Sequence, residues 1–144
     1  IISGRKLAFI PILRAGQGMI EGVTELVPAA KIGHIGTFRE PNTNESILYY
    51  CKLPEDISER DAIIVDPMLA TGASLCVAID ELKKKNAKSI KFMCIIASPE
   101  GIENVTRKHP DVEIYCGVID DYLDENKYIV PGLGDAGDRM FGTK

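Results

Sequence analysis

Features that would place this chain in several large protein classes are missing from its sequence. Acidic residues outnumber basic ones, with 21 Asp and Glu against 17 Lys and Arg, which gives a formal net charge of −4. The chain as a whole therefore lacks the basic surface typical of nucleic-acid binding. No apolar stretch reaches the roughly 20 residues of a membrane-spanning helix. We expect neither a nucleic-acid partner nor a membrane partner.

Metal-binding and disulfide patterns are missing as well. The cysteines at 51, 76, 94 and 116 lie at least 18 residues apart, and both histidines are isolated from them. Neither a zinc site nor a disulfide framework is expected, and reduced thiols fit a cytoplasmic protein. We do not expect the first residues to form a signal peptide. Because no initiator Met is present, we expect further residues upstream of Ile1.

The composition, 45% apolar and 26% charged, is that of one globular domain over residues 1–144. Short apolar runs predict strands at residues 7–13, 31–38, 47–51, 62–65, 90–97 and 112–118. Helical spacing predicts helices at 19–27, at 75–86 and from Pro99 to about His109, the last capped by Ser98. Little regular structure is expected from Asp120 onward. This alternation predicts an α/β fold, with a mostly parallel sheet flanked by helices on both faces, as in Rossmann-like proteins.

Ligands of such folds bind beyond the carboxyl ends of the strands. Three loops are expected there, at residues 14–18, 66–74 and 128–137. The 66–74 loop joins a strand to a helix and contains small residues at 70, 72 and 73 and hydroxyls at 71 and 74. Its free N–H groups and the helix dipole suit a phosphate, while Asp66 suits sugar hydroxyls. A plain turn with a helix cap is the alternative. No Gly-Lys-Ser/Thr follows, which disfavours a nucleoside-triphosphatase loop.

Three segments carry a resemblance to a known family. They are Pro11-Ile12-Leu13-Arg14-Ala15-Gly16, Asp66-Pro67-Met68-Leu69-Ala70-Thr71-Gly72-Ala73-Ser74 and Tyr128-Ile129-Val130-Pro131-Gly132-Leu133-Gly134-Asp135-Ala136-Gly137-Asp138, the last followed by Phe141-Gly142-Thr143. In this order they resemble the pyrophosphate loop, the phosphoribosyl diphosphate (PRPP) signature and the uracil-binding tail of uracil phosphoribosyltransferases. These enzymes form a branch of the type I phosphoribosyltransferases, whose fold is then expected. Ala73 departs from the usual Gly, and family members carry several dozen residues before the position of Ile1.

The resemblance assigns roles to residues. It implies PRPP binding by Arg14, Arg39, Asp66, Pro67, Met68, Leu69, Ala70, Thr71, Gly72, Ala73, Ser74 and Asp135. It implies a uracil-binding tail at residues 120–144, with contacts from Ile129, Gly134, Asp135 and Ala136. Arg14 and Asp135 are the candidate catalytic residues. Arg39 could equally be a solvated loop charge, Asp135 a turn residue and Ile129 a core residue.

The resemblance also implies a reaction. The phosphoribosyl group of PRPP would pass to uracil, giving UMP and pyrophosphate in pyrimidine salvage. Mg²⁺ is the expected cofactor, brought with PRPP rather than held by a certain protein site. GTP is a candidate activator, and a homodimer or higher homo-oligomer is expected.

Other functions stay open from the sequence. One is a non-catalytic regulator that has the same fold and binds PRPP or nucleotides. Another is an enzyme that uses a different base. A minor alternative is dinucleotide binding, suggested by Gly16-x-Gly18-x-x-x-Gly22, although its third Gly is one residue late. Gly132-x-Gly134-x-x-Gly137 also fits the pattern, but only seven residues follow it, which leaves no room for a helix and a second strand.

Overall fold

The structure is a computed structural model, and it describes residues 6–143. The strands are β1 (Leu7–Leu13), β2 (Lys31–Ile32), β3 (His34–Arg39), β4 (Ser46–Lys52), β5 (Asp61–Val65), β6 (Met68–Leu69), β7 (Ser89–Ala97), β8 (Glu113–Ile119), β9 (Tyr122–Leu123) and β10 (Ile129–Val130). The helices are α1 (Ile20–Leu26), α2 (Ala73–Lys84), α3 (Pro99–Lys108) and α4 (Ala136–Phe141), with 3₁₀ turns at Ala15–Met19 and Ile57–Glu59.

The main sheet runs in the order β4-β3-β1-β5-β7-β8, with short β2 beside β1 and short β6 beside β7. Its strands are parallel except β4, which pairs antiparallel with β3. The chain therefore moves from β1 towards one edge and from β5 towards the other. The carboxyl ends of the neighbouring strands β1 and β5 therefore mark the switch point at which such folds bind ligands.

The hydrophobic core lies between one face of this sheet and α2 and α3. Alternate residues of the strands point to that face because side chains on a strand alternate. Its fully buried members include Ile10, Ile64 and Phe92, which pair across β1, β5 and β7. Burial of each large apolar side chain contributes about 1.5–3 kcal/mol.

The opposite face is covered less evenly. Right-handed crossovers that leave β1 and β5 in opposite directions place α1 on the side away from α2 and α3. Phe9 of β1 is buried on this second face, whereas Met93, Ile95 and Tyr115 of β7 and β8 are 37%, 53% and 49% exposed. Helices thus flank both faces, as predicted, but the second face is open over β7 and β8 in the described part of the chain.

Most predicted elements are confirmed. The strand predicted at 31–38 is divided into β2 and β3 at Gly33, and the 66–74 loop contains β6. The prediction of little regular structure after Asp120 is wrong. There β9 and β10 pair antiparallel, and α4 follows them. These elements are too short to leave a periodic pattern in the sequence.

Two further findings concern the described residues. None of their helices combines the length and the apolar character needed to cross a bilayer. All four cysteines are free thiols, with Cys76 and Cys94 buried.

Ser98 caps α3, as its sequence position predicts. The residue is completely buried, and its Oγ accepts the N–H of Gly101 at 2.9 Å. The same hydroxyl donates to the carbonyl oxygen of Ala70 at 2.6 Å. One side chain therefore begins a helix and holds the 66–74 loop against it.

Replacing Ser98 by Ala should destabilise the protein by about 1–2 kcal/mol, because the helix loses its cap and a buried carbonyl loses its donor. Urea unfolding measures this free-energy change. Ser58→Ala, at an exposed position, is the matched control, and its free energy of unfolding should stay close to that of the wild-type protein. Equal unfolding midpoints for Ser98→Ala and the control would contradict the assigned role.

Candidate active site

A cleft of about 500 Å³ opens at the carboxyl ends of β1 and β5. Its walls come from all three loops expected there. Each loop contributes a charged residue, namely Arg14, Asp66 and Asp135. Arg39, at the end of β3, adds a fourth side to the cleft. The structure therefore brings together, at the switch point, residues that are far apart in the sequence.

A smaller pocket of about 150 Å³ adjoins the cleft and lies within the 66–74 loop. Arg39, Asp66, Met68, Ala70 and Ser74 line both spaces. Of the nine residues predicted for the PRPP signature, the pocket is lined by all except Pro67. Pro67 is instead buried, and its carbonyl accepts the N–H groups of β7 residues.

The backbone of this loop is oriented by α3. The carbonyl oxygens of Leu69, Ala70 and Thr71 accept hydrogen bonds from the Ser98 N–H at 2.9 Å, the Ser98 hydroxyl at 2.6 Å and the Asn104 amide at 2.8 Å. In a trans peptide the carbonyl and the next N–H point in opposite directions. The N–H groups of residues 70–72 therefore point away from α3, on the side of the pocket.

Gly72 makes this arrangement possible. Its φ of +82° lies in the left-handed region, and a Cβ added there would come 2.8 Å from Val105 Cγ2. Ala73, which departs from the family pattern, begins α2 and is not among the residues with positive φ. The departure is therefore free of backbone strain.

The loop hydroxyls also contact the protein. Thr71 Oγ1 accepts the N–H of Ala73 at 3.3 Å, and Ser74 Oγ lies 3.0 Å from Ser46 Oγ at the start of β4. Ser46 and Asn104 were not predicted from the sequence. Their contacts span 28 and 33 residues, and neither position belongs to a recognisable motif.

Asp66 is a half-buried carboxyl group at the junction of the two spaces. Burial raises the pKa of this carboxyl, a hydrogen bond from the Met68 N–H lowers it, and the nearby charge of Asp135 raises it, so that the pKa is about 8. The acid is thus mostly protonated, and therefore neutral, at pH 7. Ligand hydroxyls that donate to it would favour its ionised form.

The two arginines differ in their surroundings. Arg39 is an exposed side chain, whereas Arg14 is bonded to Asp138 and Thr143 near the end of the chain. Both can offer the forked N–H donors that suit diphosphate oxygens.

The tail is shaped by β9, β10 and a tight bend after Pro131. Gly132 has a φ of +43°, and an added Cβ would lie only 2.1 Å from the carbonyl oxygen of Ile129. Its N–H donates to Asp120 Oδ2 at 2.8 Å, a contact not predicted from the sequence. Ile129 is buried, yet it lines the cleft together with Gly134 and Ala136. With Asp135, all four predicted base-binding positions therefore line the same cleft.

The start of α4 fixes the next part of the tail. Gly134 has a positive φ, and Gly137 lies in the first turn of α4. Asp135 caps α4, since its Oδ1 accepts the N–H of Asp138 at 2.7 Å. One carboxylate oxygen of Asp135 is therefore engaged by the fold.

The residues fit a cation that brings most of its own ligands. Among residues 6–143, no group of three or more His, Cys, Asp and Glu side chains is placed to hold a metal ion. The carboxyls of Asp66 and Asp135 do line one cleft and are near enough to interact. Mg²⁺ prefers oxygen ligands and is often bound by one or two carboxylates together with phosphate oxygens.

The raised pKa of Asp66 predicts a pH dependence of stability. The unfolded chain ionises this acid near pH 4, whereas the folded protein keeps its proton up to about pH 8. Its contribution to stability should therefore fall as pH rises through that window. Between pH 5 and pH 8 the melting temperature of the wild-type protein should fall more than that of Asp66→Asn. Equal losses in both proteins would show that Asp66 titrates normally.

Asn104 should control the affinity of the small pocket. Replacing it by Leu leaves the Thr71 carbonyl without its donor, so we expect ribose 5-phosphate to bind about tenfold more weakly. Isothermal titration calorimetry measures the affinity. Glu103→Ala, at an exposed neighbouring position on α3, is the control. Unchanged affinity in a folded Asn104→Leu variant would refute this role.

Comparison with known proteins places these features in a family. The family model for uracil phosphoribosyltransferase matches residues 1–143. The uracil phosphoribosyltransferase of Agathobacter rectalis is 63% identical over 143 residues, which cover 99% of this chain and 68% of that protein. A solved protein structure from Aquifex aeolicus has a TM-score of 0.94 at 42% identity, over 98% of this chain and 67% of that one. A purine phosphoribosyltransferase from Pyrococcus horikoshii, at 21% identity and a TM-score of 0.60, shares the fold over 82% of this chain and 76% of its own. The chain therefore belongs to the uracil phosphoribosyltransferase family.

Proposed function

We propose that the protein transfers the phosphoribosyl group of PRPP to uracil, forming UMP and releasing pyrophosphate. The observation that carries this proposal is the single cleft that joins the 66–74 loop, Arg14 and the tail. A phosphate pocket, a diphosphate-binding arginine and a base-sized backbone surface are what the two substrates require. The names of the relatives that share more than half of the sequence support the same reaction.

PRPP would lie across the two connected spaces. Its 5′-phosphate would occupy the small pocket, where the N–H groups of residues 70–72 and the start of α2 provide donors. Asp66 would accept hydrogen bonds from the ribose hydroxyls. The diphosphate would then extend towards Arg14 and Arg39.

Uracil would bind in the part of the cleft lined by the tail. Its ring presents alternating carbonyl and N–H groups, which backbone groups of Ile129, Gly134 and Ala136 can match. The positive φ values at Gly132 and Gly134 fix the path of that backbone. Specificity for the base would therefore depend on main-chain geometry more than on side-chain identity.

The reaction would proceed by attack of uracil N1 on the anomeric carbon as the bond to pyrophosphate breaks. Negative charge grows on the leaving group, so Arg14 and Arg39 would stabilise the transition state electrostatically. Asp135 would hold the Mg²⁺ that accompanies PRPP, and this ion would add positive charge beside the leaving oxygens. Holding both substrates in one cleft removes much of the entropic cost of their encounter.

Uracil must lose the proton on N1. The departing pyrophosphate and Asp135 are the two candidate acceptors, and the cleft-lining residues include no histidine. One oxygen of Asp135 already accepts the Asp138 N–H, so only the other oxygen would serve the Mg²⁺ or accept this proton.

The state of assembly is part of the proposal. Exposed Tyr49 and Tyr50 on the outer strand β4 support a homodimer or a larger homo-oligomer. Activation by GTP and a cytoplasmic location stay predictions from the sequence.

The function is tested by measuring UMP formation from uracil, PRPP and Mg²⁺ with chromatographic separation. The unchanged protein should form UMP. Asp66→Ala should mainly raise the KM for PRPP, because it loses the acceptor for ribose hydroxyls, and Arg14→Ala should mainly lower kcat. Glu103→Ala should have the same kcat and the same KM for PRPP as the wild-type protein.

Three outcomes would count against the proposal. Binding of PRPP without UMP formation, also in a chain extended to the length of its relatives, would favour a regulator. Turnover of another base in preference to uracil would change the substrate. Full activity in Asp66→Ala or Arg14→Ala would remove that residue from its role.

A further inference from the structure

Arg14 is enclosed by a group of side chains that the proposed reaction does not otherwise use. Its Nη2 donates to Asp138 Oδ1 at 3.1 Å, and its Nη1 donates to Thr143 Oγ1 at 3.3 Å. The Thr143 hydroxyl in turn donates to Asp138 Oδ1 at 2.8 Å. The guanidinium carbon lies 5.7 Å from the centre of the Phe141 ring. We call Asp138, Phe141 and Thr143 the arginine bracket.

The bracket is too exposed to be explained by stability alone. The side chains of Arg14 and Asp138 are 53% and 40% exposed, and ion pairs in such positions contribute little to folding. Three mutual hydrogen bonds and a ring nevertheless restrict a long, flexible side chain to one orientation. The bracket uses one donor on each of two nitrogens, which leaves the other guanidinium donors for a ligand.

The bracket is also joined to the base-binding tail. Asp138 belongs to the first turn of α4, and its N–H donates to the cap residue Asp135 at 2.7 Å. The positions next to that cap, Gly134 and Ala136, line the cleft. A ligand that contacts Gly134 or Ala136 therefore contacts the segment that begins the helix carrying Asp138.

We propose that Asp138 is a positioning residue, which orients Arg14 through the arginine bracket and thereby couples occupation of the uracil site to binding of pyrophosphate. This inference rests on the proposed function, because it assigns the base to the tail and the diphosphate to Arg14. Uracil in the tail fixes α4, α4 fixes Asp138, and Asp138 holds Arg14 ready for the diphosphate. The coupling is reciprocal, as linkage requires.

The test measures the coupling between two ligands. Magnesium pyrophosphate is titrated calorimetrically into the full chain with and without saturating uracil, and the ratio of the two dissociation constants gives the coupling factor. Uracil should tighten pyrophosphate binding about tenfold in the unchanged protein. Asp138→Ala should bring the factor close to 1. Asp138→Asn should retain most of the coupling, since its amide oxygen can still accept both hydrogen bonds.

Further variants separate the bracket from damage to α4. Thr143→Val lies outside the helix, keeps the side-chain shape and should also lower the coupling factor. Glu125→Ala removes one negative charge from an exposed turn and should leave the factor unchanged. The affinity for uracil alone should be the same in all these proteins.

Two results would overturn the inference. One is an unchanged coupling factor in both Asp138→Ala and Thr143→Val. The other is that Asp138→Ala binds pyrophosphate more tightly than the wild-type protein in the absence of uracil. The Asp138 carboxylate would then compete with pyrophosphate for Arg14. If the variants make UMP and keep the coupling factor of the wild-type protein, this inference fails and the proposed function stands. If the unchanged protein neither binds pyrophosphate nor makes UMP, the proposed function fails with it.

Discussion

The hydrogen bonds from α3 and its cap to three successive carbonyl groups of the 66–74 loop are the constraint on which the site depends. They turn the carbonyls of residues 69–71 away from the cleft, and the peptide geometry then presents the following N–H groups to the small pocket. Without this orientation, carbonyl oxygens could face the phosphate and repel it. The hydrogen bonds from α3 orient the backbone N–H groups of the loop towards the pocket, and the positive φ of Gly72 and the dipole of α2 favour an anion there as well.

The remaining parts of the cleft are placed by the opposite directions in which the chain leaves β1 and β5. Arg14 follows β1 and Asp66 follows β5, so a positive group and an acid lie on either side of the switch point. The tail crosses above them and brings Asp135 close enough to raise the pKa of Asp66. The half-buried acid is costly to ionise in the protein alone, and sugar hydroxyls or a cation would offset that cost.

The sequence predicts the parts of this structure that depend on local patterns. Continuous apolar runs identify β1 and β5, because strands covered on both faces read that way. They also identify β7, although its second face is open at Met93 and Ile95. Motifs identify Arg14, the 66–74 loop and the tail. What could not be predicted depends on contacts between distant residues. Asn104 contacts Thr71 and Asp120 contacts Gly132, and neither polar residue differs in its local sequence from a surface residue. Asp138 belongs to the tail motif, but the motif does not show its contact with Arg14. The pair β9–β10 and helix α4 escape prediction because two to six residues carry no period.

The central claim is that oriented backbone N–H groups of residues 70–72 form the phosphate site. Solution NMR of the labelled protein, titrated with ribose 5-phosphate, tests this claim most directly. The amide proton signals of Ala70, Thr71 and Gly72 should move downfield together and saturate at the same ligand concentration, because each proton becomes the donor to an anion. Saturable binding that leaves these three signals in place would contradict the account and move the phosphate to another part of the cleft.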